Sequence, residues 1–446
     1  MERISVKVYP CPIGSGDPTG QDSKNGKKKK CIIMKVLYYL LPLFIIAATS
    51  CTNNKDNFHA VAGEEEKPPV AVSGTIPKMA EIDIQKDYPK KKLLLDEIAD
   101  IEYIPLETSD SVLLGSFTDV AFSGDMVVLA DNMGTVFFFN RQGKFLRSFN
   151  HKGQGDKEYT NLINMCVDFE REEVFIYDYY LRYRILVYSF DGEFKRELKL
   201  EGSKRWVNYL FPYDETHLVS YDTCDENYKN PSGESFNRYP YFLIDKQSGE
   251  ITSLPLKVDK RITNQIKWED GDGNYKISGV GILNWMKADM GIYVSDFALD
   301  TIYHCTGDKI TPKAVRKNNP DKSRCLSSLC FESNRYTFFD VFKVHVDEAE
   351  KRLKIDVNKK MLFDKRDGNM YDVNIVMKDF AEGKFAPDIT SAGSCSIPEG
   401  YYFSFLTSER LYSLLEKGIL KGEIKEIAEN MEEDANPVMV IAKFKE

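Results

Sequence analysis

The chain repeats itself. Val127-Val128-Leu129-Ala130-Asp131, then Val136-Phe137-Phe138-Phe139-Asn140-Arg141-Gln142-Gly143-Lys144-Phe145, returns roughly 47 residues later. The second copy reads Val174-Phe175-Ile176-Tyr177-Asp178, then Ile185-Leu186-Val187-Tyr188-Ser189-Phe190-Asp191-Gly192-Glu193-Phe194. A period of about 40–50 residues built from short β-type runs is the spacing of propeller blades. One blade cannot bury its own faces, so the chain must close into a ring of packed sheets. The repeat constrains architecture and leaves the ligand open.

The first blade divides into Phe117 to Phe122, Met126 to Ala130, Thr135 to Phe139 and Phe145 to Phe149, with Gly124, Gly134 and Gly143 at the turns. Glycine supplies the positive φ that tight hairpins demand. The second runs Ile163 to Phe169, Val174 to Tyr177, Arg184 to Phe190 and Phe194 to Leu200. The third keeps Leu218 to Asp222 and Phe242 to Gly249 around a long insertion, Thr223 to Pro240. The fourth keeps Gly291 to Asp296 and Thr301 to His304; the fifth, Tyr336 to Asp340 and Met361 to Lys365; the sixth, Tyr401 to Phe405. Leu411, Leu414 and Leu415, with Gly418 beyond them, predict a helix over Ser408 to Lys417. Ile424, Ile427 and Met431 predict another over Lys421 to Glu433. Val438 to Phe444 then reads as a strand that completes a blade with Ile101 to Leu106, because an open ring would expose two sheet edges. The prediction is an all-β, six-bladed β-propeller of four-stranded antiparallel blades over 96–446, with short C-terminal helices before a closing strand.

The 25 Tyr and 27 Phe residues suit pleated, half-buried surfaces. Formal charge is −9, but residues 1–50 carry a surplus of +5 and the remainder −14. An acidic body without a basic stripe argues against nucleic acid, whose phosphates need Lys and Arg. Lys27 to Lys30 and Lys35 precede an apolar run from Val36 to Ala48, followed by Thr49-Ser50-Cys51. A basic segment, a short apolar core and small residues describe a secretory signal, and the run is short of the ~20 residues that span a membrane. Ala48-Thr49-Ser50-Cys51 resembles a bacterial lipobox, which implies cleavage before Cys51 and acylation of its thiol. The competing reading is an ordinary signal with an incidental cysteine. Residues 1–50 are thus assigned to an over-extended start plus a signal from about Met34, and 51–95 to an acylated cysteine and flexible tether. The nine cysteines form no CxxC pair and have no His at ligand spacing, so no zinc site is predicted. Most read as small buried hydrophobes; Cys325 to Cys330 is the only close spacing, and no disulfide is assigned to it.

Three segments carry a family resemblance: Asp100-Ile101-Glu102-Tyr103-Ile104-Pro105-Leu106-Glu107-Thr108, Gly153-Gln154-Gly155-Asp156-Lys157-Glu158-Tyr159 and Asn436-Pro437-Val438-Met439-Val440-Ile441. They resemble the opening strand, the Gly-rich inter-blade turn and the closing strand of bacterial six-bladed β-propeller lipoproteins of the NHL-like superfamily. The turn departs from that pattern, with Asp-Lys where Gly-Pro or Pro-Gly is common. The resemblance covers about residues 95–446 and implies an exported propeller lipoprotein. It implies no catalytic residue.

Asp131, Asp178, Asp222, Asp296 and Asp340 end one strand of each blade. They read as turn residues accepting backbone N–H bonds, with a cation-binding ring as the rival. Asp270-Gly271-Asp272-Gly273-Asn274 has Gly281 where a calcium loop needs glutamate, and reads as a turn. Gly153-Gln154-Gly155 lacks the helix of a dinucleotide site. His59, His151, His217, His304 and His345 form no metal motif. Tyr179, Tyr180, Arg182, Tyr183 and Arg184 crowd one loop of the second blade and are the candidate ligand-binding residues, since aromatics with arginine on a rigid scaffold suit sugars and peptides. Trp206, Tyr209, Trp268 and Trp285 read as loop aromatics, with inter-blade packing as their alternative. The function predicted is an exported, lipid-anchored binding or scaffold protein of the cell envelope, placed at the outer membrane, for a glycan, peptide or partner protein. No cofactor, metal or catalytic residue is assigned. The alternative is a propeller enzyme, a metal-dependent hydrolase or lyase with its site at the channel mouth.

Overall fold

The computed structural model describes residues 79–445 except 179–182, 201–204, 206, 223–236, 270–274, 281, 289, 320, 348, 382–393 and 399. Six sheets form a six-bladed propeller ring. Blade 1 comprises Phe117–Phe122, Met126–Asp131, Val136–Asn140 and Phe145–Phe149. Blade 2 comprises Leu162–Asp168, Glu173–Asp178, Arg184–Ser189 and Phe194–Lys199. Blade 3 comprises Asn208–Pro212, His217–Tyr221, Tyr241–Asp245 and Ile251–Ser253. Blade 4 comprises Trp285–Lys287, Ile292–Val294, Thr301–Thr306 and Lys309–Lys317. Blade 5 comprises Cys325–Glu332, Tyr336–Asp347, Arg352–Asp364 and Asn369–Val376.

Blade 6 closes the ring. Val438–Phe444 lies between Tyr401–Leu406 and Ala99–Pro105, antiparallel to both. The closing strand thus pairs with the N-terminal strand that the sequence indicated, and Val438 to Ala442 are all buried. Middle strands are covered on both faces by neighbouring blades, so Val127 to Ala130 are wholly buried and read as an unbroken apolar run. Outer strands such as Phe145–Phe149 keep one wet face and alternate. That is why the repeat is strongest in the second and third strands of a blade.

Three features depart from the sequence reading. Ala80–Asp83 and Lys90–Leu94 lie in the span assigned to the tether, yet each adds in parallel to an outer edge, of blades 4 and 5 respectively. Both cap edges that would otherwise offer unpaired backbone groups. Ser394–Ser396 runs parallel to the first strand of blade 1, toward the axis, where the Ser396 hydroxyl donates to the Val167 carbonyl at 2.6 Å. An additional hairpin, Gln265–Glu269 with Tyr275–Gly279, follows blade 3 in the chain and packs Ile266 with Leu326 and Phe342 of blade 5.

The helices Ser408–Glu416 and Gly422–Asn430 occur close to the predicted positions. Thr407 caps the first, its hydroxyl accepting from the Arg410 N–H, and Leu411, Leu414 and Ile424 bury against Tyr103, Val438 and Val440 of blade 6. Cys325 and Cys330 share one strand and are not joined by a disulfide.

Candidate ligand cleft between the fifth and sixth blades

The third and fourth strands of blade 5 begin as neighbours and then part. Asp364 to Lys360 pair with Asn369 to Val373. Beyond that point the fourth strand turns its other edge to Lys90–Leu94, which it follows from Asp372 to Val376. The parting leaves a cavity of about 410 Å³ between blades 5 and 6, within the usual size range of small-molecule sites.

Its floor is aromatic. Phe331 and Phe338 come from blade 5, Tyr402 and Phe444 from blade 6. Phe331 stacks tilted on Phe444 with centroids 3.8 Å apart and meets Tyr402 edge-on at 4.5 Å. A bulge at Cys330 breaks the register between Leu329 and Phe331, and Cys330 itself lines the cavity. Burial pushes the Tyr402 hydroxyl well above its ordinary pKa, so it stays neutral. The rim is polar: Asn358, Lys359, Asp372 and Asn374 edge the opening. Lys360 pairs with Asp340 at 2.7 Å, and Lys359 approaches Asp372 at 3.8 Å. Apolar floor and amide rim together suit a ligand with one apolar face and several hydrogen-bonding groups.

The loop singled out in the sequence is placed only in part. Tyr179, Tyr180 and Arg182 lie outside the described residues, as do Cys51, Trp206 and the Asp270 to Asn274 loop. Tyr183 is 60% exposed. Arg184 is engaged structurally: its guanidinium donates to the carbonyls of Asp156 at 2.8 Å and Glu158 at 2.9 Å. It thereby clamps the Gly-rich turn, which folds around the Glu158 carboxylate accepting from the Gly155 N–H. Trp285 is fully buried on the first strand of blade 4, against Phe211, and Trp268 donates to the Lys351 carbonyl.

The strand-end aspartates serve their own turns and neighbours. Asp131 accepts from the N–H groups of Met133 and Thr135, and Asp178 from the N–H and hydroxyl of Thr160. Asp340 ends no strand; its strand continues to Asp347. Asp296 is wholly buried and joins a polar cluster that the sequence did not mark. It accepts from the Tyr241 hydroxyl at 3.0 Å and from the Ala298 N–H at 3.0 Å. Burial raises its carboxyl pKa, and these bonds with Arg261 and Arg316 only partly oppose that. Among the described residues, no group of three or more His, Cys, Asp or Glu is placed to hold a metal ion. No helix among them is long and apolar enough to cross a membrane.

The chain is similar to several solved structures. The crystal structure of a Bacteroides fragilis NCTC 9343 protein described as exported is 15% identical, with a TM-score of 0.55, covering 82% of this chain and 100% of its own. The β-propeller domain of Myceliophteria thermophila Cps50 (Swd1) is 10% identical at a TM-score of 0.32, covering 75% of this chain and 98% of its own. Among curated proteins none matches the chain. The family model for a domain of unknown function, DUF4934, matches residues 79–443, and the chain belongs to that family.

Proposed function

We propose that this protein is an exported, lipid-anchored propeller of the cell envelope that binds a glycan or peptide in the cleft between blades 5 and 6. The observation that carries the reading is the cleft itself: a cavity of about 410 Å³ with four aromatic rings below and amides and charges at the rim. Aromatic faces give area at low entropic cost, while a few placed polar groups fix orientation. The signal-like segment ending at Cys51 supports export and lipid anchoring, and the description of the Bacteroides fragilis protein agrees with export.

Binding to arrays of oligosaccharides and peptides tests the reading, with Phe444→Ala and the milder Asn374→Ala as cleft variants. Hits that both variants weaken at unchanged melting midpoint support it. Hits that neither variant affects place the ligand elsewhere.

A further inference from the structure

We infer that the occupant of this cleft is an acidic, extended segment of a partner protein, which adds as a strand to the free edge of blade 5; the inference rests on the cleft being the binding site. The hairpin of Tyr336–Asp347 with Arg352–Asp364 stays paired along its whole length, up to Asp347 opposite Arg352. The outer neighbour stops pairing at Lys360. From Arg352 to Lys359, therefore, the third strand has no strand on its outer side among the described residues.

A bare edge presents N–H and C=O groups at strand spacing, and an extended polypeptide meets that spacing along its length. A sugar does not. The edge runs straight into the cleft, whose rim residues Asn358 and Lys359 are its last members. An added strand would carry alternate side chains toward that opening, where one large apolar side chain can reach Phe331, Tyr402 and Phe444.

Charge selects the partner. Arg352, Lys354 and Lys359 stand on this stretch against Asp356, in a protein whose formal charge is −9. Lys354 is held by Asp347 and Glu350, and Lys360 by Asp340, but Lys359 reaches Asp372 only at 3.8 Å. A basic edge on an acidic body attracts acidic segments, and two such edges repel each other, which disfavours a second copy of this chain. Ile355, 36% exposed on the same edge, adds an apolar contact for the incoming strand.

The test titrates the purified protein with synthetic peptides of about ten residues alternating Glu with Leu or Phe. Controls are the same peptides with Lys for Glu, two versions N-methylated on either alternate set of amides, and neutral oligosaccharides. The acidic peptides should bind, the lysine versions at least tenfold more weakly, and one of the two methylated sets at least tenfold more weakly. Combined Arg352→Glu and Lys359→Glu should weaken acidic peptides tenfold and strengthen basic ones, at unchanged melting midpoint. Equal binding of both methylated sets, or of basic and acidic peptides, overturns strand addition. If only oligosaccharides bind, and Asn374→Ala weakens them, the cleft stands and the strand does not. Peptide binding that survives both Phe444→Ala and Asn374→Ala overturns both.

Discussion

Tyr103 stands opposite Val440 in the ladder that closes the ring, and its hydroxyl reaches on to the Asp379 carboxylate at 3.1 Å. One residue thus ties the opening strand, the closing strand and the segment after blade 5. Removing the closing strand exposes the edges of Tyr401–Leu406 and Ala99–Pro105 together. Truncation after Glu433 should lower the melting midpoint by roughly 10 °C or more, given the apolar area lost, and promote aggregation. Scanning calorimetry with light scattering checks this. A truncated protein that melts like the full one would show that blade 6 holds without its middle strand.

Gly143 lies at φ +79, and a Cβ there would run into the Pro105 carbonyl at the end of the opening strand. The left-handed conformation alone costs an L-residue about 1–2 kcal/mol. Gly143→Ala should therefore destabilise by at least that much. Gly124→Ala, at a turn with nothing within 4 Å of the new methyl, should cost less. The pair of urea midpoints separates the left-handed conformation and the collision together from the general loss of a glycine.

Near the axis, Ser396 donates to the Val167 carbonyl and accepts from the Val167 N–H at 3.2 Å, joining blade 2 to a strand more than two hundred residues later. Ser396→Ala removes both bonds in a buried setting. The expected cost is about 1–3 kcal/mol, because buried groups lose their partner without gaining water. Urea unfolding measures it. A cost near zero would mean that the Ser394–Ser396 strand contributes little to the ring.

Blades 1 and 2 were legible because their middle strands are covered on both faces, which writes runs such as Val127-Val128-Leu129-Ala130 into the sequence. The closing strand was legible for the same reason. Lys90–Leu94 was not: as an added outer strand it buries little, and three successive lysines carry no apolar alternation. Ser394–Ser396 is too short and polar to announce itself. The cleft was illegible for a different reason. Phe331, Tyr402 and Phe444 are far apart in the chain and meet only because blades 5 and 6 pack together, which no local pattern records. Arg184 looked available for a ligand because sequence alone cannot show that two backbone carbonyls already hold it.

Acid should loosen blade 2 through Glu173. Burial would raise its carboxyl pKa, but Arg196, bonded to both oxygens at 2.6 and 2.7 Å, and Lys195 at 2.7 Å reverse that and hold it below the ordinary value. A carboxyl depressed in the folded state contributes stability above its unfolded pKa of about 4.3 and loses it as pH falls through the folded value. Arg196→Met should destabilise the protein at pH 7 and flatten the loss of stability between neutral and acid. Parallel curves for the variant and the original would exclude this pair as a source of the acid dependence.

The anchor is the last prediction. Thirteen residues from Val36 to Ala48 are too few to hold a protein in a bilayer by themselves, and the residues that follow Cys51 are polar. If the signal is cleaved before Cys51, membrane attachment depends on acyl chains carried by that residue, each buried methylene contributing about 0.8 kcal/mol. Cys51→Ala should then do one of two things. It either frees an exported protein into the soluble fraction or leaves an uncleaved precursor of higher mass. Wild-type protein should resist extraction by high salt and yield to detergent, and should incorporate labelled palmitate that the variant lacks. A variant that remains on membranes at the mature mass, in high salt and without label, would show that something other than acylation at Cys51 holds the propeller there.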